Sequence, residues 1–173
     1  MAGTISGYEA DRNIRDRDGR IHFQGQPPYM DSAPVVAAGS ALTLTHEAHA
    51  GRIINLDTAT GSVVTLPAAT GSGAKYRFRV SALATSNSHI IKVASASDSF
   101  DGFAFMRDDT SDNAASFFAV AGTSDTVTLN RTTTGSVVIG EWIEIEDVAS
   151  GRFHVRAFLA NSGTPATPFS ATV

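Results

Sequence analysis

The sequence predicts an all-β protein, a β-sandwich or jelly-roll-like barrel preceded by an extended N-terminal arm. Three observations lead there. The segment Lys75-Tyr76-Arg77-Phe78-Arg79-Val80 alternates strictly between apolar and basic side chains, the period-2 pattern of a strand with one buried and one wet face. Short alternating runs then recur at spacings of about 8–12 residues between turn residues, as in sandwiches and barrels. No window sustains the 3.6-residue period of an amphipathic helix.

Taken in order, residues 1–38 read as the arm and 39–173 as the sandwich body. The arm opens with interleaved charges over Glu9 to Arg20, followed by Pro27-Pro28 and Pro34. Its apolar residues Ile14, Ile21, Phe23, Tyr29 and Met30 follow no sustained period. Such a stretch buries too little apolar surface to offset ~1–2 kcal/mol of backbone entropy per residue, so ordering of the arm is expected on docking. From Ala41 the expected strands are 41–45, 52–56, 62–66, 75–81, 89–94, 101–106, 115–121, 125–130, 141–148 and 152–160. Thr45 can cap a single helical turn running to Ala50. The Gly-Ser steps at Gly61-Ser62, Gly71-Ser72-Gly73 and Gly135-Ser136 read as hairpin turns, where glycine supplies positive φ.

The last hairpin is the clearest. Along Glu141 to Val148, Ile143 and Ile145 share one face while Trp142, Glu144 and Glu146 share the other. Along Arg152 to Leu159, Phe153, Val155, Ala157 and Leu159 point inward while Arg152, His154 and Arg156 point outward. Ala149-Ser150-Gly151 joins the two, setting acids on one strand across from bases on the next. Such pairs contribute roughly 0.2–1 kcal/mol each and set register, with no catalytic role implied.

Composition bounds the function. The 173 residues fit one domain with an appended arm, and 42% hydrophobic residues suffice for a core. Only 17% are charged, against about a quarter in typical soluble domains, so the surface is rich in small polar side chains suited to protein contact. A net charge of −4 offers no basic stripe for nucleic acid. With no cysteine there is neither a disulfide framework nor a thiolate metal site. No apolar run approaches the ~18 residues of a membrane span. Met1-Ala2-Gly3-Thr4-Ile5 lacks the basic start and apolar stretch of a signal peptide, so synthesis in a cytoplasm is expected.

The motifs that could carry chemistry are incomplete. His46-Glu47-Ala48-His49 spaces its histidines at i and i+3, where the zinc-protease helix needs i and i+4. Asp16-Arg17-Asp18-Gly19 begins like a calcium loop, but Pro27 stands where the closing glutamate would be. Asp108, Asp109 and Asp112 with Asn113 read as a solvated loop tip. No Gly-x-Ser-x-Gly nucleophile elbow and no phosphate-binding glycine loop occurs. We therefore expect no enzyme activity and no cofactor. Among the aromatics Phe100, Phe103, Phe105, Phe117, Phe118 and Trp142, the phenylalanines read as core or subunit interface. Trp142, on the charged face of its strand, reads as a partly exposed platform, the feature a sugar-binding module would use.

The run Ser62 to Gly73 (SVVTLPAATGSG) with Tyr76-Arg77-Phe78 resembles a segment of small tailed-phage structural proteins, which include head decoration (cement) proteins and some fibre or tail domains. The likeness continues through Ser86 to Val93, Thr123 to Asn130 and Gly163 to Ser170, covering about residues 40–173. It implies a capsid decoration protein on the virion exterior, whose partner is the major capsid protein and whose copies form a homotrimer at local threefold positions. The other reading it leaves open is a fibre or tail domain that binds a glycan receptor. In either case the arm is the expected anchor to capsid or neighbour, through Arg12, Arg15, Arg17, Arg20, Ile21, Phe23, Tyr29 and Met30.

Overall fold

The computed structural model describes residues 14–17, 20–23, 35–109 and 114–173. The chain divides into two units, residues 1–34 and 35–173. In the first, β1 (Ile14–Arg17) and β2 (Arg20–Phe23) pair antiparallel, with Ile14 opposite Phe23 and Arg17 opposite Arg20. The stretch read as an extended arm thus contains a two-stranded ribbon. Asp18-Gly19, the residue pair that two-residue hairpin loops favour, separates its strands in the sequence.

The body begins at Val35, so Val35–Ala38, assigned to the arm by sequence, belongs to it: β3 (Val36–Ala37) pairs in a sheet and Ala38 is buried. The remaining strands are β4 (Ala41–Thr43), β5 (Ile53–Leu56), β6 (Val63–Thr65), β7 (Lys75–Val80), β8 (His89–Lys92), β9 (Ser99–Asp108), β10 (Ala115–Ala119), β11 (Thr126–Leu129), β12 (Trp142–Ala149), β13 (Arg152–Asn161) and β14 (Phe169–Ser170). All ten expected strands form. The one helical turn, α1 (His46–His49), starts where Thr45 accepts a hydrogen bond from the Ala48 N–H.

The strands make a sandwich of two mixed sheets. One has seven strands in the order β10-β9-β13-β12-β7-β5-β3, the other five in the order β14-β11-β8-β6-β4. From β3 to β8 the chain alternates between sheets, so strands two apart in sequence stack parallel: β3, β5 and β7 in one sheet, β4, β6 and β8 in the other. The later strands close this short coil with mainly antiparallel pairs, although β9 and β13 run parallel over ten residue pairs. A jelly roll is antiparallel throughout; this chain forms the sandwich. The steps at Gly61, Gly71 and Gly135 are consequently crossovers between sheets and not the hairpin turns expected. Ala149-Ser150-Gly151 does turn a hairpin, between β12 and β13.

One apolar layer fills the space between the sheets. Ile54, Leu56, Tyr76, Phe78, Ile143, Ile145, Phe153 and Val155 come from the larger sheet; Val64, Leu66, Ile91, Val127 and Leu129 come from the strands and flanks of the smaller. The alternation read from Lys75 to Val80 is reproduced residue by residue, with Tyr76, Phe78 and Val80 buried. Among the described residues no helix is long and apolar enough to cross a membrane.

Gly102 lies inside β9 with φ of 113°, where a Cβ would come 2.0 Å from the Val155 carbonyl oxygen of β13. Both the backbone conformation and the close approach require glycine. Gly102→Ala is expected to lower stability by about 2–4 kcal/mol, summing backbone strain and overpacking. Denaturant unfolding checks this, and an unchanged midpoint would contradict the close β9–β13 approach.

Candidate functional site

The buried carboxylates of the body and its buried histidine are bound to its own backbone. Asp147, at the end of β12, accepts from the N–H groups of Thr70, Gly71 and Ser72 at 2.7–3.1 Å and from both the Thr70 and Ser72 hydroxyls. Burial alone would raise its carboxyl, but the bonds from Ser72, Gly71 and Thr70 outweigh that and hold it at about 2. Glu141, just before β12, accepts from the N–H groups of Ser136, Val137 and Val138 at 2.7–2.9 Å. It keeps Ser136 in the left-handed region at φ of 62°. Its burial nevertheless pushes the carboxyl above the ordinary range. Asp125 holds the N–H groups of Thr172 and Val173 and the Thr126 hydroxyl, bonds that keep it below the usual carboxylate value despite burial. Asp98 holds the Ala69 N–H.

His89 is fully buried between two crossovers. Its Nδ1 accepts from the Ser62 N–H at 3.0 Å, so Nε2 carries the proton and donates to the Ala82 carbonyl at 2.9 Å. Burial lowers its pKa and keeps it neutral. Each of these side chains ties loop backbone to another part of the body, with hydroxyls of Thr70, Ser72 and Thr126 adding bonds at Asp147 and Asp125. His49, in the exposed turn α1, accepts from the Thr45 N–H through Nδ1 and closes the cap. Among the described residues no three His, Cys, Asp or Glu side chains come together as a metal site.

The outer face of the seven-stranded sheet is open to solvent, and strand register organises it into rows. One row reads Asp101, His154, Glu146, Lys75, with His154 hydrogen-bonded to Asp101 and Lys75 lying 3.5 Å from Glu146. The next reads Phe103, Arg156, Glu144, Arg77, with Glu144 held between Arg77 at 2.9 Å and Arg156 at 3.4 Å. Of the acid–base pairs expected between β12 and β13, Glu144–Arg156 forms; Glu146 faces His154 but pairs with Lys75 of β7, His154 bonds Asp101 of β9, and Arg152 faces Ala149.

The third row is aromatic: Phe117, Phe105, Phe158, Trp142 and then Arg79, from β10 across β9, β13 and β12 to β7. Its rings touch in sequence, Phe117–Phe105 at 5.4 Å between centroids, Phe105–Phe158 at 5.7 Å and Phe158–Trp142 at 4.8 Å, and Phe103 joins Phe117 at 5.6 Å. Phe117 is 67% exposed, Phe158 44% and Trp142 41%. Beside the row, Phe105, Arg107, Ile139, Trp142 and Phe158 wall a hollow of about 250 Å³. Trp142 and Phe158 lie only 22° from parallel, stacked on each other across the strands. Each ring thereby covers one face of the other, whereas a sugar platform offers open faces.

Trp142 therefore stands where sequence put it, on the charged face and partly exposed. Of the five phenylalanines considered with it, Phe100 alone is fully buried, Phe118 packs against the core, and Phe103, Phe105 and Phe117 join the outer row. Phe158 was missed, although the alternation that turns Arg156 outward turns Phe158 outward too. Arg15, Arg17, Arg20, Ile21 and Phe23 lie on the β1–β2 ribbon, while Arg12, Tyr29 and Met30 fall outside the described residues. Asp109 pairs with Arg107 at 2.9 Å; Asp112 and Asn113 fall outside the described residues.

Compared with protein-family models, curated proteins and solved structures, the chain matches none.

Asp147→Asn should destabilise the fold by about 2 kcal/mol, the range of hydrogen bonds to a charged group. The pH dependence follows in sign: the folded carboxyl titrates at about 2 and its ordinary value is 3.8, so the unfolded chain takes up the proton first as pH falls. This share of stability is whole above pH 3.8 and lost as pH falls toward about 2. Denaturant unfolding across that window should show the loss in the parent chain and a shallower slope in the variant.

Proposed function

We propose that this chain is a non-enzymatic structural protein of a tailed-phage virion, a capsid decoration protein that binds and stabilises the outer shell of major capsid subunits. The observation that carries the reading is the aromatic row on the outer sheet face. Exposed contiguous aromatic surface on a rigid scaffold marks protein interaction, and the neighbouring charges are already paired in register. The buried acids support it as well, because each holds a loop of the scaffold in place. The resemblance over residues 40–173 supplies the virion context.

Stabilisation by such a protein is mass action. A ligand that binds only the assembled lattice lowers its free energy by RT ln(1 + [L]/Kd) per site, summed over the shell. In this reading residues 1–34 are the anchor. Interleaved Arg12, Arg15, Arg17 and Arg20 with their neighbouring acids suit register-specific pairing with a patterned protein surface. The apolar residues among them suit pockets or strand addition to a partner sheet. The exposure of Trp142 favours a second reading, a fibre or tail domain with a glycan receptor; the face-to-face stacking of its ring on Phe158, which covers one of its faces, ranks that reading below the first.

A chain beginning at Val35 is expected to stay folded and to lose binding to capsids stripped of the protein, while the full chain re-decorates them over the whole head. Re-decoration by the shortened chain as tight as by the full one would remove the anchor role. Failure of the full chain to bind shells, or its presence as a few copies at the tail, would overturn the decoration reading in favour of the fibre.

A further inference from the structure

We propose that His89 is an acid-sensitive pin, and that a proton taken up by its ring frees the end of the sandwich where the β5–β6 and β7–β8 crossovers meet. Both crossovers run from the larger sheet to the smaller and lie against one another. The Thr85 N–H donates to the Ala59 carbonyl at 2.7 Å and the Asn87 amide to the Thr60 carbonyl at 3.0 Å. A Cβ at Gly61 would stand 2.5 Å from the Ser88 carbonyl oxygen. His89 fastens the pair from within. Its side chain is fully buried, and each ring nitrogen bonds the backbone of a different crossover, Nδ1 at Ser62 and Nε2 at Ala82. A backbone N–H can only donate, so the ring is neutral for as long as the Ser62 bond stands. A proton on Nδ1 turns that acceptor into a second donor and leaves the buried Ser62 N–H unsatisfied beside a buried charge. The Ala82 bond survives protonation, so release begins at Ser62.

The surroundings give an imidazolium little support. Residues 58–66 and 81–88 carry no ionisable side chain. Asp57, just past β5, favours the charged ring, but it is exposed and its carboxylate accepts from the Gly39 N–H at 2.9 Å. Arg131, beyond the β11 strand that pairs with β8, brings a positive charge to the Thr85 carbonyl. Lys92, on β8 itself, alternates to the other face. Burial outweighs Asp57 and the Ala82 bond and lowers the ring's pKa from 6.5. An opened crossover exposes the ring and lets it protonate at its ordinary value first. The closed form is therefore fully favoured above pH 6.5 and loses ground as pH falls toward the lowered value, by up to about tenfold per pH unit. Asp147 and Asp125 titrate below 3.8, outside this window. Glu141 holds Ser136, whose hydroxyl takes the Ala84 N–H; its carboxyl is raised by burial, so its proton uptake favours the closed form and works in the opposite sense. The device belongs to the free chain and does not rest on the virion reading.

The test is amide hydrogen exchange of the full chain by NMR between about pH 7 and 5, corrected for the intrinsic pH dependence of exchange. The amides of Ser62, Thr85 and Ile90, which donate to His89, Ala59 and Ser62, report the two crossovers. Their opening is expected to rise several-fold, and at most about tenfold per pH unit, while circular dichroism stays unchanged. They should also open more readily than the core amides of Ile143 and Ile145 at every pH. In His89→Gln, which carries no titrating ring, the rise should vanish. The ring itself gives a second readout if that variant does not fold: its nitrogen shifts should show the Nε2–H tautomer at neutral pH and a midpoint below 6.5. Opening that does not change with pH overturns the proposal, as does a rise that persists in His89→Gln. Opening of the crossovers only together with Ile143 and Ile145 also overturns it, because the whole fold then gives way and no end is released. A ring that titrates at 6.5 while Ser62 stays protected overturns it too.

Discussion

The pairing of β12 with β7 on one side and β13 on the other is the contact on which the rest of the structure depends. Strands β3 to β8 form a parallel coil, and β7 is its last strand in the larger sheet; β13 begins the other half of that sheet. β12 joins the two. Its inward side chains, Ile143 and Ile145, lie in the apolar layer, and its outward ones, Trp142, Glu144 and Glu146, supply one member to each of the three outer rows. A one-residue slip of this strand would exchange the two sets, burying carboxylates and exposing isoleucines, so its register is strongly determined.

The same strand fixes the loops around it. Glu141 at its start gathers three backbone N–H groups of the preceding loop, and Asp147 at its end gathers three from the β6–β7 crossover. Crossovers between sheets leave backbone donors without ladder partners, and buried donors need an acceptor. A carboxylate with several lone pairs meets that need at one point. The two acids differ in outcome because their surroundings differ. Hydroxyls of Thr70 and Ser72 add to the bonds on Asp147 and keep its charge favoured, while desolvation dominates at Glu141.

Alternation made the faces legible but not the partners. Tyr76, Phe78, Ile143, Ile145, Phe153 and Val155 could be placed inside from period alone, because a half-buried strand has no other way to arrange them. Nothing local distinguishes a glycine that turns a hairpin from one that starts a crossover, so Gly61 and Gly71 look like hairpin turns in the sequence although the coil carries the chain to the other sheet. The parallel alignment of β9 with β13 joins segments some fifty residues apart, as in Phe105 beside Phe158, and this juxtaposition builds the aromatic row. Trp142 could be seen as exposed from its own strand; its neighbours could not. The β1–β2 ribbon was hidden by its charges, which masked the Asp18-Gly19 turn signal between two short strands.

An exposed row of touching aromatic rings is costly to leave in water, and here it runs across four paired strands of the larger sheet. In the proposed function this face is covered when the protein is assembled. Trp142 is the chain's one tryptophan and lies within the row, so its fluorescence reports directly on that face. Emission maximum and acrylamide quenching should be compared between the dilute full chain and its assembled form. The account predicts a shift to the blue and a fall in quenching on assembly; an assembled form in which Trp142 emits and quenches as it does in dilute solution would contradict it.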